Sequence, residues 1–241
     1  MGKLPRCCWV VVPFALVTAC GGDATTDFGG GGAGGSTSTS TSTSTTSSGN
    51  SCSDFLPPDD LGGPVTIRIE NNTTADLYIG DPNQSCGSVP IYALHGPADE
   101  VLNGGLDGCE YSCEQLQSGS CGCTGDCMAP HVIRVTAGGA LVTEWGGYHY
   151  VATEMPAECF FDAMCAPSCL LETVAPDEVE VHATVYPEVS CGGGSGGCTC
   201  EPDADGSCTI WDGAPTPTGT PTETQATWTT GETSVTLTIG P

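Results

Sequence analysis

Four acidic residues near the C-terminus have the spacing most suggestive of chemistry. Glu201-Pro202-Asp203-Ala204-Asp205-Gly206 alternates carboxylates into a glycine turn, and Asp212 follows. Calcium takes several hard oxygens, and alternate acids around a tight turn aim their carboxylates inward. Counted as a calcium loop, Glu201, Asp203 and Asp205 occupy positions one, three and five. Gly206 then occupies six, Thr209 nine and Asp212 twelve. Pro202 and Cys208 are odd members of such a loop, the twelfth ligand is normally a bidentate Glu, and no helix pattern flanks it. A solvated acidic turn is the competing reading.

Other constellations carry weaker chemistry. Cys121-x-Cys123-x3-Cys127 and Cys198-x-Cys200 have thiolate spacing for zinc or copper, with Met128 and His131 beside the first set. Gly193-Gly194-Ser195-Gly196-Gly197 fits the nucleophile-elbow pattern, but an elbow needs a strand before it and a helix after it. Here a glycine loop lies between cysteines, so no active serine is expected. His149 lies between two tyrosines and His182 on the polar side of a strand, positions that suit surface histidines. Trp145, Tyr148 and Tyr150 could form an aromatic platform for a sugar or peptide, or simply pack at a hairpin. No catalytic set converges, and the chain is not expected to be an enzyme.

The N-terminus decides how the cysteines are read. Lys3 and Arg6 precede a short apolar run, Cys7 to Cys20, that Pro13 interrupts. The run is too short to span a bilayer, which needs about 20 apolar residues, and it reads as a secretory signal. Val17-Thr18-Ala19-Cys20 resembles the lipobox of bacterial lipoproteins. The resemblance implies removal of residues 1–19 and acylation of Cys20, which makes the lipid membrane a partner. Gly21 after Cys20, rather than an acid, implies the outer membrane or cell surface by similarity to sorting in that family.

Of the 17 cysteines, Cys7 and Cys8 would leave with the signal and Cys20 would carry lipid. Fourteen remain: Cys52, Cys86, Cys109, Cys113, Cys121, Cys123, Cys127, Cys159, Cys165, Cys169, Cys191, Cys198, Cys200 and Cys208. An even number in an oxidising compartment reads as a framework of disulfides, which competes directly with the metal-thiolate reading. Cysteines one residue apart should bond outward, because a bridge across one residue strains disulfide geometry.

Charge narrows the partners. Without residues 1–19, only Arg68 and Arg134 stand against all 29 acids, a formal charge of −27. Nucleic-acid affinity rests on neutralising phosphates with Lys and Arg, so nucleic acid is excluded as a partner. Anionic headgroups would also repel the domain, which leaves the lipid to hold it.

Three segments follow. Residues 1–19 are the signal, and 20–51 are the lipidated cysteine and a Gly/Ser/Thr tether with an unbroken Ser/Thr run from Ser36 to Ser48. The tether has too little apolar surface to order and would span about 30 Å as a flexible coil. Residues 52–241 form one cysteine-rich domain. Val65, Ile67 and Ile69 alternate with polar residues as a half-buried strand, and Asn71 to Thr74 turn it back onto Ala75–Ile79. Val89–Leu94, Val132–Val135, Ala140–Trp145, Tyr148–Thr153 and Val179–Val185 read as further strands, with a hairpin at Gly146-Gly147. Ala226–Thr229 and Val235–Ile239 read as a closing hairpin around Gly231. Met155–Cys169 is the one helix candidate, and Cys109–Cys127 and Cys191–Cys208 read as irregular cross-linked loops.

This spacing of short strands predicts an all-β, disulfide-rich, immunoglobulin-like β-sandwich behind a disordered tether. Pro176-Asp177 before the long alternating strand resembles the late strands of immunoglobulin-like bacterial domains. The whole chain resembles uncharacterised cysteine-rich bacterial lipoproteins, which imply no mechanism. The expected role is a membrane-anchored binding or structural module for a protein or glycan. The alternatives are a calcium-binding surface protein, a secreted-type hydrolase, and an inhibitor presenting a bridged loop to a protease.

Overall fold

Among the described residues the chain forms fourteen strands, nine of them on segments that the sequence pattern marks, and their order is what that pattern misses. The computed structural model describes residues 51–82, 91–106, 109–122, 129–192 and 197–241. In chain order the strands begin with β1 (Val65–Asn71), β2 (Leu77–Ile79), β3 (Ala93–His95) and β4 (Val101–Leu102). A short helix, α1 (Cys113–Ser118), precedes β5 (Val132–Val135), β6 (Ala140–Trp145), β7 (Tyr148–Glu154) and β8 (Ser168–Val174). Next come β9 (Glu178–Val185), β10 (Glu188–Cys191) and β11 (Ser207–Ile210). The last three are β12 (Pro215–Thr218), β13 (Thr222–Thr229) and β14 (Ser234–Ile239).

The fold is all-β and disulfide-rich, a sandwich of several sheets. One sheet runs β14-β1-β6, with β14 parallel and β6 antiparallel to β1. Two more sheets, β13-β9-β3-β4 and β11-β5-β2, are joined by a bridge between Tyr78 and Tyr186. Every second residue of β1 is buried, and β9 and β14 bury theirs the same way. Their inward side chains, among them Ile67, Ile69, Val179, Val181 and Leu237, share one apolar core. Trp145 and Trp228 meet edge to face in it, ring centres 5.0 Å apart. Each indole N–H reaches a carbonyl, of Tyr148 at 2.6 Å and Glu232 at 2.9 Å, so neither buries an unmet donor.

The three expected hairpins are not hairpins. β1 does not pair with β2, β6 with β7, or β13 with β14; each turn carries the chain from one sheet to another. Asn71 holds the first crossing. It is fully buried, and its amide nitrogen donates to the carbonyls of Ala75, Val135 and Thr136 at 2.8–3.1 Å. Its side-chain oxygen accepts from the Thr73 amide and hydroxyl. Gly147 makes the second crossing possible. Its φ is +77°, and a Cβ there would lie 2.7 Å from the Gly63 carbonyl oxygen.

Helix and loop are also exchanged. Met155–Cys169, expected as helix, holds two 3-10 turns (Ala157–Cys159 and Ala163–Cys165) and the start of β8. α1 lies in the cysteine loop expected to be irregular. Its Ser112 and Gln115 cap each other, side chain to backbone in both directions. Phe55, Leu116, Met155 and Phe160 form a second small core with Cys113, Cys159 and Cys169.

Five disulfides are described: Cys52–Cys159, Cys113–Cys169, Cys121–Cys165, Cys191–Cys198 and Cys200–Cys208. Cys109 is disulfide-bonded as well. Cys121, Cys198 and Cys200 bond outward, as strain across one residue requires. Cys20, Cys86, Cys123 and Cys127 lie outside the described residues, as do the signal and nearly all of the tether.

Two outcomes follow. Asn71→Ala should cost about 3 kcal/mol by leaving buried carbonyls without a donor. Asn71→Asp, the same shape without the amide hydrogens, should cost as much; a tolerated aspartate in urea unfolding would show the donors do not matter. Separately, Cys52 and Cys159 are 107 residues apart and Cys191 and Cys198 only 7. Replacing the first pair by alanine should cost about 4–5 kcal/mol and the second about 2–3, because the longer loop restrains more of the unfolded chain. Equal losses in the same assay would contradict that account.

Candidate functional site

The acidic turn is built around one carboxylate. Asp203 Oδ1 accepts the amides of Asp205, Gly206 and Ser207, each at 3.0 Å, and Oδ2 accepts the Ser207 hydroxyl. Gly206 takes φ +92° to close the turn. The Ser207 amide, more than any other contact, holds the Asp203 carboxyl below its ordinary range. Asp205 lies 3.6 Å from Arg68. The residue placed third in a calcium loop is thus the cap of its own turn. Among the described residues no three His, Cys, Asp or Glu side chains stand where they could hold a metal ion, so Glu201, Asp203, Asp205 and Asp212 are not brought together as ligands.

The other sequence candidates separate. Cys121, Cys198 and Cys200 are in disulfides and offer no thiolate. Met128 and Ser195 lie outside the described residues. Trp145 does not belong to a surface platform: it ends β6 facing the core and is 1% exposed. Tyr148 and Tyr150 do stay half-exposed on β7, their rings edge to face at 5.6 Å. Burial, and then a side-chain hydrogen bond with Tyr148, push the Tyr150 phenol up; its hydroxyl donates to Glu172 at 3.3 Å. Between them, His149 keeps a buried Nδ1 without a hydrogen-bond partner, and burial lowers its pKa. His182 stacks on His95 at 4.2 Å, and each ring has its own carboxylate, Glu180 and Asp99.

Two surfaces stand out that the sequence reading passed over. The first is the loop between β7 and β8. Cys159 and Cys165 tie it to Cys52 and Cys121, and the Phe161 amide donates to the Leu116 carbonyl at 2.8 Å. Asp162 accepts the Met164 amide. On this pinned backbone Phe161 is 70% exposed and Met164 87%. Beside it lies a cleft of about 460 Å³ whose walls include Tyr111, Leu116, Ala152 and Leu170. The apolar run between two cysteines could have drawn notice. Nothing in Phe160-Phe161 tells which ring is buried, and only the packing of Phe160 into the small core settles it.

The second surface is a groove of about 550 Å³ beside the acidic turn. Ile133 and Leu141 line its apolar side, Glu201 and Asp203 its charged side. Trp211, half exposed, stands at the groove and stacks on His131 with ring centres 4.4 Å apart. No protein-family model matches the chain, and no curated protein or solved structure matches it.

The Asp203 cap predicts a pH dependence. A carboxyl with a depressed folded pKa contributes stability above its unfolded value, near 4, and loses it as pH falls through the folded one. Asp203→Asn should therefore melt below wild type at pH 7, and the gap should close as pH falls below about 4. A gap that stays constant as pH falls below about 4 in thermal melts would rule the carboxylate out as the source.

Proposed function

We propose that the protein is a lipid-anchored, extracytoplasmic binding module of the bacterial cell envelope. Cys20 carries the lipid, residues 20–51 hold the domain off the membrane, and the stapled sandwich meets a protein or glycan partner. The observation that carries this reading is the exposure of Phe161 and Met164 on a backbone pinned by disulfides on both sides. Two large apolar side chains held in water contribute nothing to the core. With the backbone already fixed, the loop itself loses little entropy when they enter a partner's pocket, which is how a preorganised anchor gives affinity. Eleven oxidised cysteines support an exported domain, since such bridges persist in oxidising compartments.

A bridged loop with an exposed apolar tip is also how a protease inhibitor presents itself, and this forms the second reading. It requires that Met164 or Phe161 enter a protease's specificity pocket.

Cys20→Ser should release the protein from the membrane fraction; retention would place the anchor elsewhere. A photo-crosslinking amino acid at Phe161 in the full chain should give one discrete adduct on cells, lost in a Met164→Ala background. Melting should hold within about 0.5 kcal/mol, because exposed side chains add little to stability. Diffuse labelling that Met164→Ala leaves unchanged would defeat the binding tip. Inhibition of a serine protease panel by wild type but not Phe161→Ala/Met164→Ala would select the inhibitor reading.

A further inference from the structure

We infer that the groove beside Trp211 takes an extended, cationic peptide segment of a partner protein. The inference goes beyond the apolar tip and concerns a different face of the domain. Its walls are two strands from different sheets: Leu141 and Val142 come from β6, and Ser207, Cys208 and Thr209 from β11. Among the described residues both strands are outermost, each paired on one side only. A strand edge offers unpaired amides and carbonyls, and an extended peptide satisfies them by adding a strand. The turn at Asp205 and Gly206 closes one end, where their carbonyls accept the amides of Ala140 and Thr136. Ile133 and Leu141 supply apolar lining for alternate side chains, and Val142 is 41% exposed on the rim.

Charge selects the occupant. The domain has two cations, and both are already paired: Arg68 with Glu70 and Asp205, Arg134 with Asp76. Glu201 lines the groove and Asp212 follows Trp211, both exposed and without an ion-pair partner among the described residues. The face of Trp211 opposite His131 is a site for a Lys or Arg head. A neutral sugar could stack on the same indole, but it would gain nothing from the acids or from the strand edges. An anionic ligand would be repelled.

The test uses the full lipidated chain in a non-ionic detergent and a fluorescent nine-residue peptide of alternating lysine and valine. Fluorescence anisotropy should show saturable binding, abolished when glutamate replaces lysine in the peptide. Trp211→Ala should weaken binding about tenfold, and Glu201→Gln/Asp212→Asn several-fold. Glu178→Gln/Glu223→Gln, on β9 and β13 outside the groove, should leave it unchanged. Val142→Lys, which sets a cation on the rim without touching the indole, should weaken it as well, and melting curves confirm that each variant folds.

Equal losses from the two acid pairs would reduce the effect to diffuse attraction and overturn the inference. So would an unchanged Trp211→Ala. Binding of a neutral oligosaccharide that needs Trp211, with no peptide binding, would make the groove a glycan site and overturn it too. Loss of the Phe161 adduct with peptide binding intact would sink the apolar tip alone, and the reverse would sink the groove alone.

Discussion

Asn71 is the point on which the sandwich turns. It is the last residue of β1, fully buried, and its one amide group holds the start of β2 and the end of β5. Its backbone adds the segment before β6, donating to the Gly139 carbonyl and accepting from the Gly138 amide. Two stretches of chain far apart in the sequence, 71–75 and 135–139, thus meet on one residue. A buried polar group this fully paired is worth having only in one arrangement, because any other leaves its donors or acceptors unmet in a dry interior. That is why β1 ends there and crosses to the opposite sheet instead of turning back on itself.

Away from that crossing, covalent bonds do what packing does elsewhere. The region around α1 and β8 has a core of only a few apolar side chains, and three disulfides run through it or along its border. Cys113 and Cys169 lie inside the small core and join α1 to β8 directly. With the backbone fixed in this way, Phe161 and Met164 need not fold inward to hold the loop. The same staples that replace a core leave large side chains free for a partner.

Charge is distributed with a related economy. Both arginines of the domain are tied into the structure, so nearly all of the remaining field is negative. A domain of that kind is repelled by phosphates and headgroups and drawn to cations. Its acids are not equivalent, though. Asp203 is held inside its turn and Asp205 faces Arg68, whereas Glu201 and Asp212 point to solvent beside an exposed indole.

Much was legible in the chain itself. Alternation in Val65–Asn71 and Glu178–Val185 marks strands because side chains on a pleat point to opposite faces, whatever lies beyond. The even set of cysteines foretold oxidation, and geometry foretold that neighbours such as Cys198 and Cys200 would bond outward. What alternation cannot carry is which strand lies beside which. Asn-Asn-Thr-Thr, Gly-Gly and the turn at Gly231 look local, and a hairpin is the local answer. The crossing at Asn71 depends on carbonyls 64 and 65 residues away. Trp145 likewise reads as surface or core until Trp228 is placed against it, and Trp211 as either until His131 is. Asp203 has calcium spacing in one dimension, and in three its Oδ1 accepts three backbone amides of its own turn, a role that spacing does not reveal. Sequence determined most of the strands and that the cysteines would be joined; only contacts between distant segments decided the strand and disulfide pairing, the buried faces and the surfaces left open.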